Sequence, residues 1–229
     1  MNKKIKVKNS EKKVTFVVDK GDLSGTAPEV VGDTQILVEC DKADGTGKEF
    51  VDVTAATANT KFFDPAATVK VKFVIKNAKA YAGFDKFECK KTDGTTAFTP
   101  AVAFTAVAEG TDALTKIATF PMPAEDCKVI GSLKKLVAPT FKSVKINNHE
   151  ILAANIATAT AVGAEVTKDN IVSKITALTF TVGGQDVVVK VEDCEITKPA
   201  AEITTAQDLK IKLKAKDGMW LAGTEITIK

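Results

Sequence analysis

The sequence contains no arginine, so all 32 of its basic side chains are lysines. Arginine's planar guanidinium is the preferred group for bidentate contacts to phosphates and to guanine. Its absence argues against nucleic-acid recognition and against phosphoryl transfer. The 29 acidic residues leave a formal net charge of only +3. Because the lysines are interspersed along the chain, we expect them to form a solubilising surface.

Histidine, tryptophan and tyrosine each occur once, as His149, Trp220 and Tyr81. A lone histidine serves as a general base only when the fold brings a serine or cysteine nucleophile to it. His149 follows Asn147 and Asn148, where we predict a hairpin turn, so we expect an exposed turn residue. No convergent pair of acids is apparent either. The sequence therefore predicts no catalytic residues and no enzymatic activity.

Close cysteine pairs are also absent. The four cysteines lie 38 to 67 residues apart in the chain: Cys40, Cys89, Cys127 and Cys194. Zinc sites require closely spaced pairs, so this spacing excludes the usual structural zinc motifs. We expect four reduced thiols that act as small buried or half-buried hydrophobic side chains. Disulfide bonds are the alternative.

No stretch of the sequence fits a metal or phosphate loop. Residues 41–49, DKADGTGKE, suggest a calcium loop, but Ala43 and Gly45 occupy two positions that need oxygen ligands. The GTG within this stretch is not followed by a helix signal, as a phosphate-binding loop requires. We therefore predict a glycine-rich turn here, and no bound metal or cofactor anywhere in the chain.

Targeting and membrane signals are missing as well. Residues 1–18, MNKKIKVKNSEKKVTFVV, are basic, but no long apolar stretch and no small-residue cleavage site follow them. No stretch of the chain approaches the length of a membrane-spanning helix. We therefore expect a chain that is made and folded in a cytoplasm.

Short alternating strands separated by turn residues make up most of the sequence. In residues 68–75 valines and a phenylalanine alternate with Lys70 and Lys72, which is typical of a half-buried strand. Hairpin or turn signals occur at Asp93-Gly94, Gly183-Gly184 and Asp217-Gly218. Residues 98–118 contain weaker turn signals, so the strands in this segment cannot be placed from the sequence. The pattern is typical of an all-β protein.

One short helix and one domain boundary complete the predicted organisation. Residues 167–176 predict a helix with Thr167 as its N-cap. Pro139 ends one pattern, so we divide the chain into domains 1–136 and 137–229. We predict tandem β-sandwich (Ig-like) and β-grasp-like modules with at most one or two short helices.

Residues 14–132 resemble the divergent internalin-type B repeats of bacterial surface proteins. The resemblance rests on a valine-rich strand, on Gly83 followed by Phe84 and Phe87, and on the closing run FPMPAEDCKV at 120–129. Within that run the matching residues are Phe120, Met122, Pro123, Ala124 and Asp126. The sequence departs from the family pattern at Pro121, Phe87 and Cys127, which indicates a distant relative. The second domain resembles bacterial Ig-like repeats only in its general pattern.

The resemblance implies a scaffold and not a catalyst. Repeats of this kind occur in bacterial cell-surface adhesins, and similar modules are carried on bacteriophage particles. Because no export signal is apparent, we expect a non-enzymatic virion protein, such as a capsid-decorating protein, at the virion surface. A cell-surface adhesin module is the alternative. Expected partners are other virion proteins or further copies of the chain, with possible host-surface or glycan contact, and neither nucleic acid nor membrane insertion.

Assembly contacts are predicted at two places in the chain. The N-terminal segment alternates lysine with apolar residues at Lys4, Ile5, Lys6 and Val7. Such a segment is too short to be stable alone and gains stability by adding to the edge of a neighbour's sheet. Trp220 follows a turn near the C-terminus and is expected to be either a core residue or an interface anchor.

Overall fold

The computed structural model describes residues 11–19, 34–109, 112–158, 161–200 and 208–229, with the backbone alone at 109, 112 and 113. The chain divides into two compact units between Lys135 and Leu136, one residue before the boundary placed from the sequence. We call residues 1–135 the N-terminal unit and residues 136–229 the C-terminal unit.

The protein is all-β with a sandwich-type fold, which confirms the predicted fold class. The helices of the described residues are three short 3₁₀ helices, at Ala153–Asn155, Ile171–Lys174 and Val191–Asp193. All other regular elements are strands. The high strand content follows from the sequence, in which β-branched residues are frequent and apolar residues alternate with polar ones. Such residues favour a pleated, half-buried surface.

The N-terminal unit consists of two sheets with a shared core. Its strands are β1 (Lys12–Asp19), β2 (Thr34–Asp41), β3 (Lys48–Asp52), β4 (Thr60–Phe63), β5 (Thr68–Ile75), β6 (Tyr81–Lys91), β7 (Thr105–Glu109), β8 (Asp112–Pro121) and β9 (Cys127–Lys135). They form one sheet in the order β4-β1-β9-β6 and a second in the order β3-β2-β5-β8-β7. The pairings are antiparallel except for β1 with β9, which run parallel from Val14–Cys127 to Asp19–Ser132.

Aromatic packing joins the two sheets of this unit. The ring of Phe73 on β5 lies 5.0 Å from that of Phe87 and 5.6 Å from that of Phe84, both on β6. Gly131 on β9 makes room for this cluster, because a Cβ there would lie 3.2 Å from the rings of Phe73 and Phe87. Fully buried β-branched residues of β1, β2 and β5 complete the core. The alternation predicted for residues 68–75 is thus confirmed, with Val69, Val71 and Phe73 inward and Lys70 and Lys72 outward.

The run at 120–129 enters the last strand of this unit as the sequence predicts. Phe120 and Met122 are buried in the core, while Pro121 between them is exposed. The carboxylate of Asp126 accepts a hydrogen bond of 2.9 Å from the backbone N–H of Lys13, and Cys127 then begins β9. Asp126 therefore fixes the start of β9 beside the start of β1.

The C-terminal unit is a second two-sheet structure with its own core. Its strands are β10 (Thr140–Ile146), β11 (His149–Leu152), β12 (Ile175–Val182), β13 (Gln185–Val189), β14 (Cys194–Thr197), β15 (Leu209–Leu213) and β16 (Ile226–Ile228). They form sheets in the orders β11-β10-β12-β13 and β14-β15-β16. Both sheets contribute to a single core, which includes Phe180, Leu178 and Ile211.

The predicted hairpins are present, and one predicted turn and the predicted helix differ in detail. The strands pair directly across Asn147-Asn148 and across Gly183-Gly184. At Asp93-Gly94 the loop is longer than two residues, since the N–H of Lys91 donates to the carbonyl of Thr96. Asp93 explains the longer loop, because its carboxylate accepts hydrogen bonds from the N–H groups of Thr95 and Thr96.

The segment predicted as a helix at 167–176 is a turn followed by the 3₁₀ helix Ile171–Lys174. Reciprocal hydrogen bonds between Thr167 and Asn170 close that turn, so Thr167 still acts as its polar cap. The strand β12 begins at once at Ile175, where the β-branched pattern starts. The predicted helix is therefore present only as this short 3₁₀ helix, because the strand begins where a second helical turn would have formed.

Asp93 provides a prediction on pH dependence. The hydroxyl of Thr96, with the N–H groups of Thr96 and Thr95, lowers the pKa of Asp93 to about 2 from its ordinary 3.8. A lowered pKa stabilises the fold above the unfolded value, and the stabilisation is lost as pH falls through the folded value. We expect Asp93→Ala to destabilise the N-terminal unit at pH 7, with the difference from wild type shrinking between pH 4 and pH 2.

Denaturant unfolding at several pH values measures this effect. Asp93→Asn is the control, because asparagine keeps the acceptor oxygen but not the charge, and we expect it to cost less than alanine. A difference between wild type and Asp93→Ala that does not change below pH 4 would contradict the role given to the carboxylate.

Candidate functional site

The sheet edges are the candidate functional surfaces of this protein. In the described residues each sheet ends in two edge strands: β4 and β6, β3 and β7, β11 and β13, and β14 and β16. An edge strand presents a row of backbone N–H and C=O groups to which another chain can pair. The edges of this protein differ in exposure and in charge.

Exposed apolar side chains concentrate on the edge strands. Seven large hydrophobic residues are exposed in the described part of the chain, and four of them lie at edges: Phe62 on β4 (59%), Val107 on β7 (54%), Leu152 on β11 (45%) and Val188 on β13 (72%). Each sheet of more than three strands contributes at least one of these residues. A strand that pairs along such an edge would cover apolar surface as well as backbone.

Strand β7 is open on both of its faces. Thr105, Ala106 and Val107 are exposed in succession, although alternate residues of a strand point to opposite sides. The strand carries no lysine and has only Glu109 as a charged residue. Lysine on an edge is a common protection against unwanted pairing, so β7 lacks that protection.

Lysine protects the other edges of the N-terminal unit. It occurs on β3 as Lys48 and on β4 as Lys61, and β6 carries several. On β6 the carboxylate of Glu88 lies 2.9 Å from the Lys86 ammonium and 3.0 Å from that of Lys90. The hydrogen bond from Lys86 is the largest cause of a lowered pKa at Glu88. Lysine is therefore present on three of the unit's four edges, although β4 also exposes Phe62.

The edge strands of the C-terminal unit carry no lysine, and three of them carry an acid. The acidic residues of its edge strands are Glu150 on β11, Asp186 on β13 and Glu195 on β14, and His149 lies beside Glu150. Central-strand lysines pair with two of these acids: Lys142 donates to Asp186, and the Lys212 ammonium lies 3.6 Å from Glu195. The hydrogen bond from Lys142 is the main cause of the lowered pKa of Asp186.

The predicted assembly contacts fall in two different situations. Lys4, Ile5, Lys6 and Val7 lie outside the described residues. Trp220 lies in the core of the C-terminal unit with 7% of its surface exposed. Its indole N–H donates to the carbonyl of Lys214 at 3.0 Å, which satisfies the polar end of the ring. Of the two roles left open by the sequence, the structure therefore places Trp220 in the first, as a core residue.

Groups that could support chemistry are dispersed. His149 is exposed at the start of β11, as predicted for a turn residue. A polar cavity of about 260 Å³ in the N-terminal unit is lined by Cys40 with charged residues that include Lys48 and Lys61. Burial raises the pKa of the Cys40 thiol, which disfavours the nucleophilic thiolate. Within the described ranges no cluster of three or more His, Cys, Asp or Glu residues could hold a metal ion.

No helix among the described residues is long and apolar enough to span a membrane.

An apolar groove of about 280 Å³ in the C-terminal unit is lined by residues that include Pro139, Phe141 and Ile226. Its lining contains no ionisable side chain. The groove therefore offers no ionisable acid or base, and its polar side chains are the threonines Thr140 and Thr224.

Two of the cysteines are neighbours in space, which their spacing in the sequence did not predict. Cys89 on β6 and Cys127 on β9 are buried on adjacent antiparallel strands, where Cys89 pairs with Val129 and Cys127 with Lys91. Their thiols share a hydrogen bond, which is the main cause of a lowered pKa at Cys89 and a raised one at Cys127. All four cysteines are free thiols in this structure.

We expect four alkyl adducts on the intact chain when it is unfolded and alkylated without reductant. In the native state Cys40 should react first, because it is half-buried while the other three are buried. Intact-mass spectrometry followed by peptide mapping measures both results. Only two adducts, with Cys89 and Cys127 unmodified, would show that this neighbouring pair is oxidised and would contradict the prediction of reduced thiols.

Comparison of the chain with protein-family models, with curated proteins and with solved structures found no match.

Proposed function

We propose that this protein is a non-enzymatic structural component of a larger assembly, in which it is held through the edges of its sheets. The assembly we propose is the surface of a bacteriophage particle, where the chain serves as a capsid-decorating or other auxiliary protein. The observation that carries the proposal is the concentration of exposed apolar residues on edge strands, with Val107 and Val188 as the clearest cases.

Edge pairing supplies both affinity and specificity. Backbone hydrogen bonds satisfy the outward N–H and C=O groups of the edge, and alternate side chains select the partner. Full burial of a valine-sized side chain contributes about 1.5–3 kcal/mol relative to exposure. Val188 alone can therefore add a substantial share of the binding free energy of a short strand.

The resemblance of residues 14–132 to surface-repeat modules supports a position on the outside of a particle. The same resemblance favours a second candidate, a module of a bacterial cell-surface adhesin. Its most specific part, the run from Phe120 to Asp126, positions β9 next to β1 and so serves the scaffold in either setting. The two candidates differ in the object to which the chain is attached.

Fractionation of the producing cells distinguishes the two candidates. After phage induction and lysis, we expect the chain to band with intact particles in a density gradient and to remain bound through washing. Recovery in the cell-envelope fraction would favour the adhesin role. Recovery as a free chain, with none on particles or envelopes, would contradict both.

A further inference from the structure

Acidic and basic residues lie on different strands in the sheets of the C-terminal unit, and β12 and β16 carry no charged residue. The central strands β10 and β15 carry lysine as their only charged residues, and the edge strands β11, β13 and β14 carry acids. Opposite charges that face each other across a sheet stabilise it, and like charges destabilise it. A basic strand that adds beyond an acidic edge therefore places opposite charges next to each other, whereas an acidic strand would place like charges there.

Strand β13 is the acidic edge best prepared for pairing. It follows a two-residue turn in which Gly183 and Gly184 have φ of 56° and 83°, as in a type I′ hairpin. In that hairpin the alternation of hydrogen bonds directs the backbone of Val187 toward β12 and the backbones of Asp186 and Val188 away from it. Val188 is also the most exposed of the large apolar residues at the edges.

The side chains of β13 define what kind of strand can join it. Val187 packs against the core of the unit, whereas Asp186 lies on the other face beside Lys142. A matching strand places apolar, β-branched residues next to Val187 and cations next to Asp186. The aliphatic stems of lysines on that outer face would also cover Val188.

The chain itself contains a strand of this kind. Residues 4–8, KIKVK, alternate three lysines with Ile5 and Val7 over five residues, the same length as β13. We infer that residues 4–8 of one copy add as a strand to the β13 edge of a second copy. On β4 and β6 lysines outnumber acids, so those edges of the N-terminal unit would repel this segment. The edge strand β3 carries Glu49 and Asp52 beside Lys48, but it exposes no large apolar side chain for the segment to cover. Each copy then both donates and accepts a strand, and such a head-to-tail contact can propagate over a particle surface.

This inference rests on the proposed function, because it specifies the edge and the partner through which the assembly forms. Sedimentation velocity of the full chain at micromolar concentrations tests it. We expect wild type to self-associate, and Lys4→Glu with Lys6→Glu to weaken association about tenfold or more, which corresponds to ~1.4 kcal/mol. Asp186→Lys should weaken it similarly, and the combination of both changes should restore it.

A backbone test complements the charge exchange. Val188→Pro removes an outward N–H that does not pair with β12, so the hairpin is kept while edge pairing is blocked. We expect this variant to lose self-association. Val188→Thr keeps the N–H and the strand propensity and is the matched control, which should still associate. Circular dichroism of both variants verifies that the unit is folded.

The possible failures are distinguishable. A monomeric wild type, unchanged association in the charge-reversed variants, or no restoration in the combined variant would overturn the inference. Faster hydrogen exchange at β13 in a monomeric chain lacking residues 1–10 would show that the segment pairs with its own chain, which also overturns it. If wild type bands with particles while any of these results is found, the inference fails but the proposed function stands. Absence from particles is a failure of the proposed function itself.

Discussion

Replacement of Phe73 by alanine is expected to lower the free energy of unfolding of the N-terminal unit by about 3–5 kcal/mol. Phe73 is fully buried and packs against the rings of Phe84 and Phe87 on the opposite sheet. Its removal takes away apolar burial and two ring contacts, and Gly131 next to it offers no side chain to fill the cavity. Hydrogen exchange of the β5 amides during denaturant unfolding measures the loss.

The matched control is Phe62→Ala, because Phe62 is an exposed phenylalanine of the same unit. A surface substitution of this kind usually changes stability by less than about 0.5 kcal/mol. The fluorescence transition of Trp220, the only tryptophan, should not move in either variant, since it reports on the core of the C-terminal unit. Equal effects of the two substitutions would contradict the assignment of Phe73 to the core.

Phe180→Ala is expected to produce the reciprocal result in the C-terminal unit. Phe180 is buried on β12 and meets Phe141 edge to face, with ring centroids 5.7 Å apart. We expect a loss of about 3–5 kcal/mol in the stability of this unit. The change should appear as an earlier transition in Trp220 fluorescence, while the exchange of β5 amides stays as in wild type.

Val188→Ala provides the comparison for this variant, because Val188 is an exposed residue of the neighbouring strand β13. It should leave the Trp220 transition almost unchanged. If Phe180→Ala shifted the exchange of β5 amides as much as the Trp220 transition, the two cores would not be energetically separate. That result would contradict the division of the chain after Lys135.

The local sequence pattern was sufficient to predict the architecture because strand alternation and turn chemistry are local properties. The inward valines of β5, the Gly183-Gly184 hairpin and the roles of Phe120, Met122 and Asp126 could all be predicted in this way. The extent of the helix at 167–176 was mispredicted because its apolar spacing also fits a 3₁₀ turn that leads into a strand.

The properties that depend on pairing between distant strands could not be predicted. The parallel contact of β1 with β9 joins strands more than a hundred residues apart, and the contact of Cys89 with Cys127 depends on the register of β6 on β9. Which strands lie at edges is likewise decided by topology, so the exposure of Val107 and Val188 had no sequence signal. That the acids of the C-terminal unit lie on sheet edges could be recognised only from the topology, which places β11, β13 and β14 outermost.

Hydrogen exchange of the assembled protein tests the central claim, assembly through the sheet edges, most directly. Peptides that cover each strand are compared between the free chain and the chain recovered on particles. We predict that assembly slows exchange in edge strands, above all in β13, and leaves the central strands β5 and β12 unchanged, because their amides are already paired within the sheets. Slower exchange confined to loops, or no difference between the free and the particle-bound chain, would contradict the account.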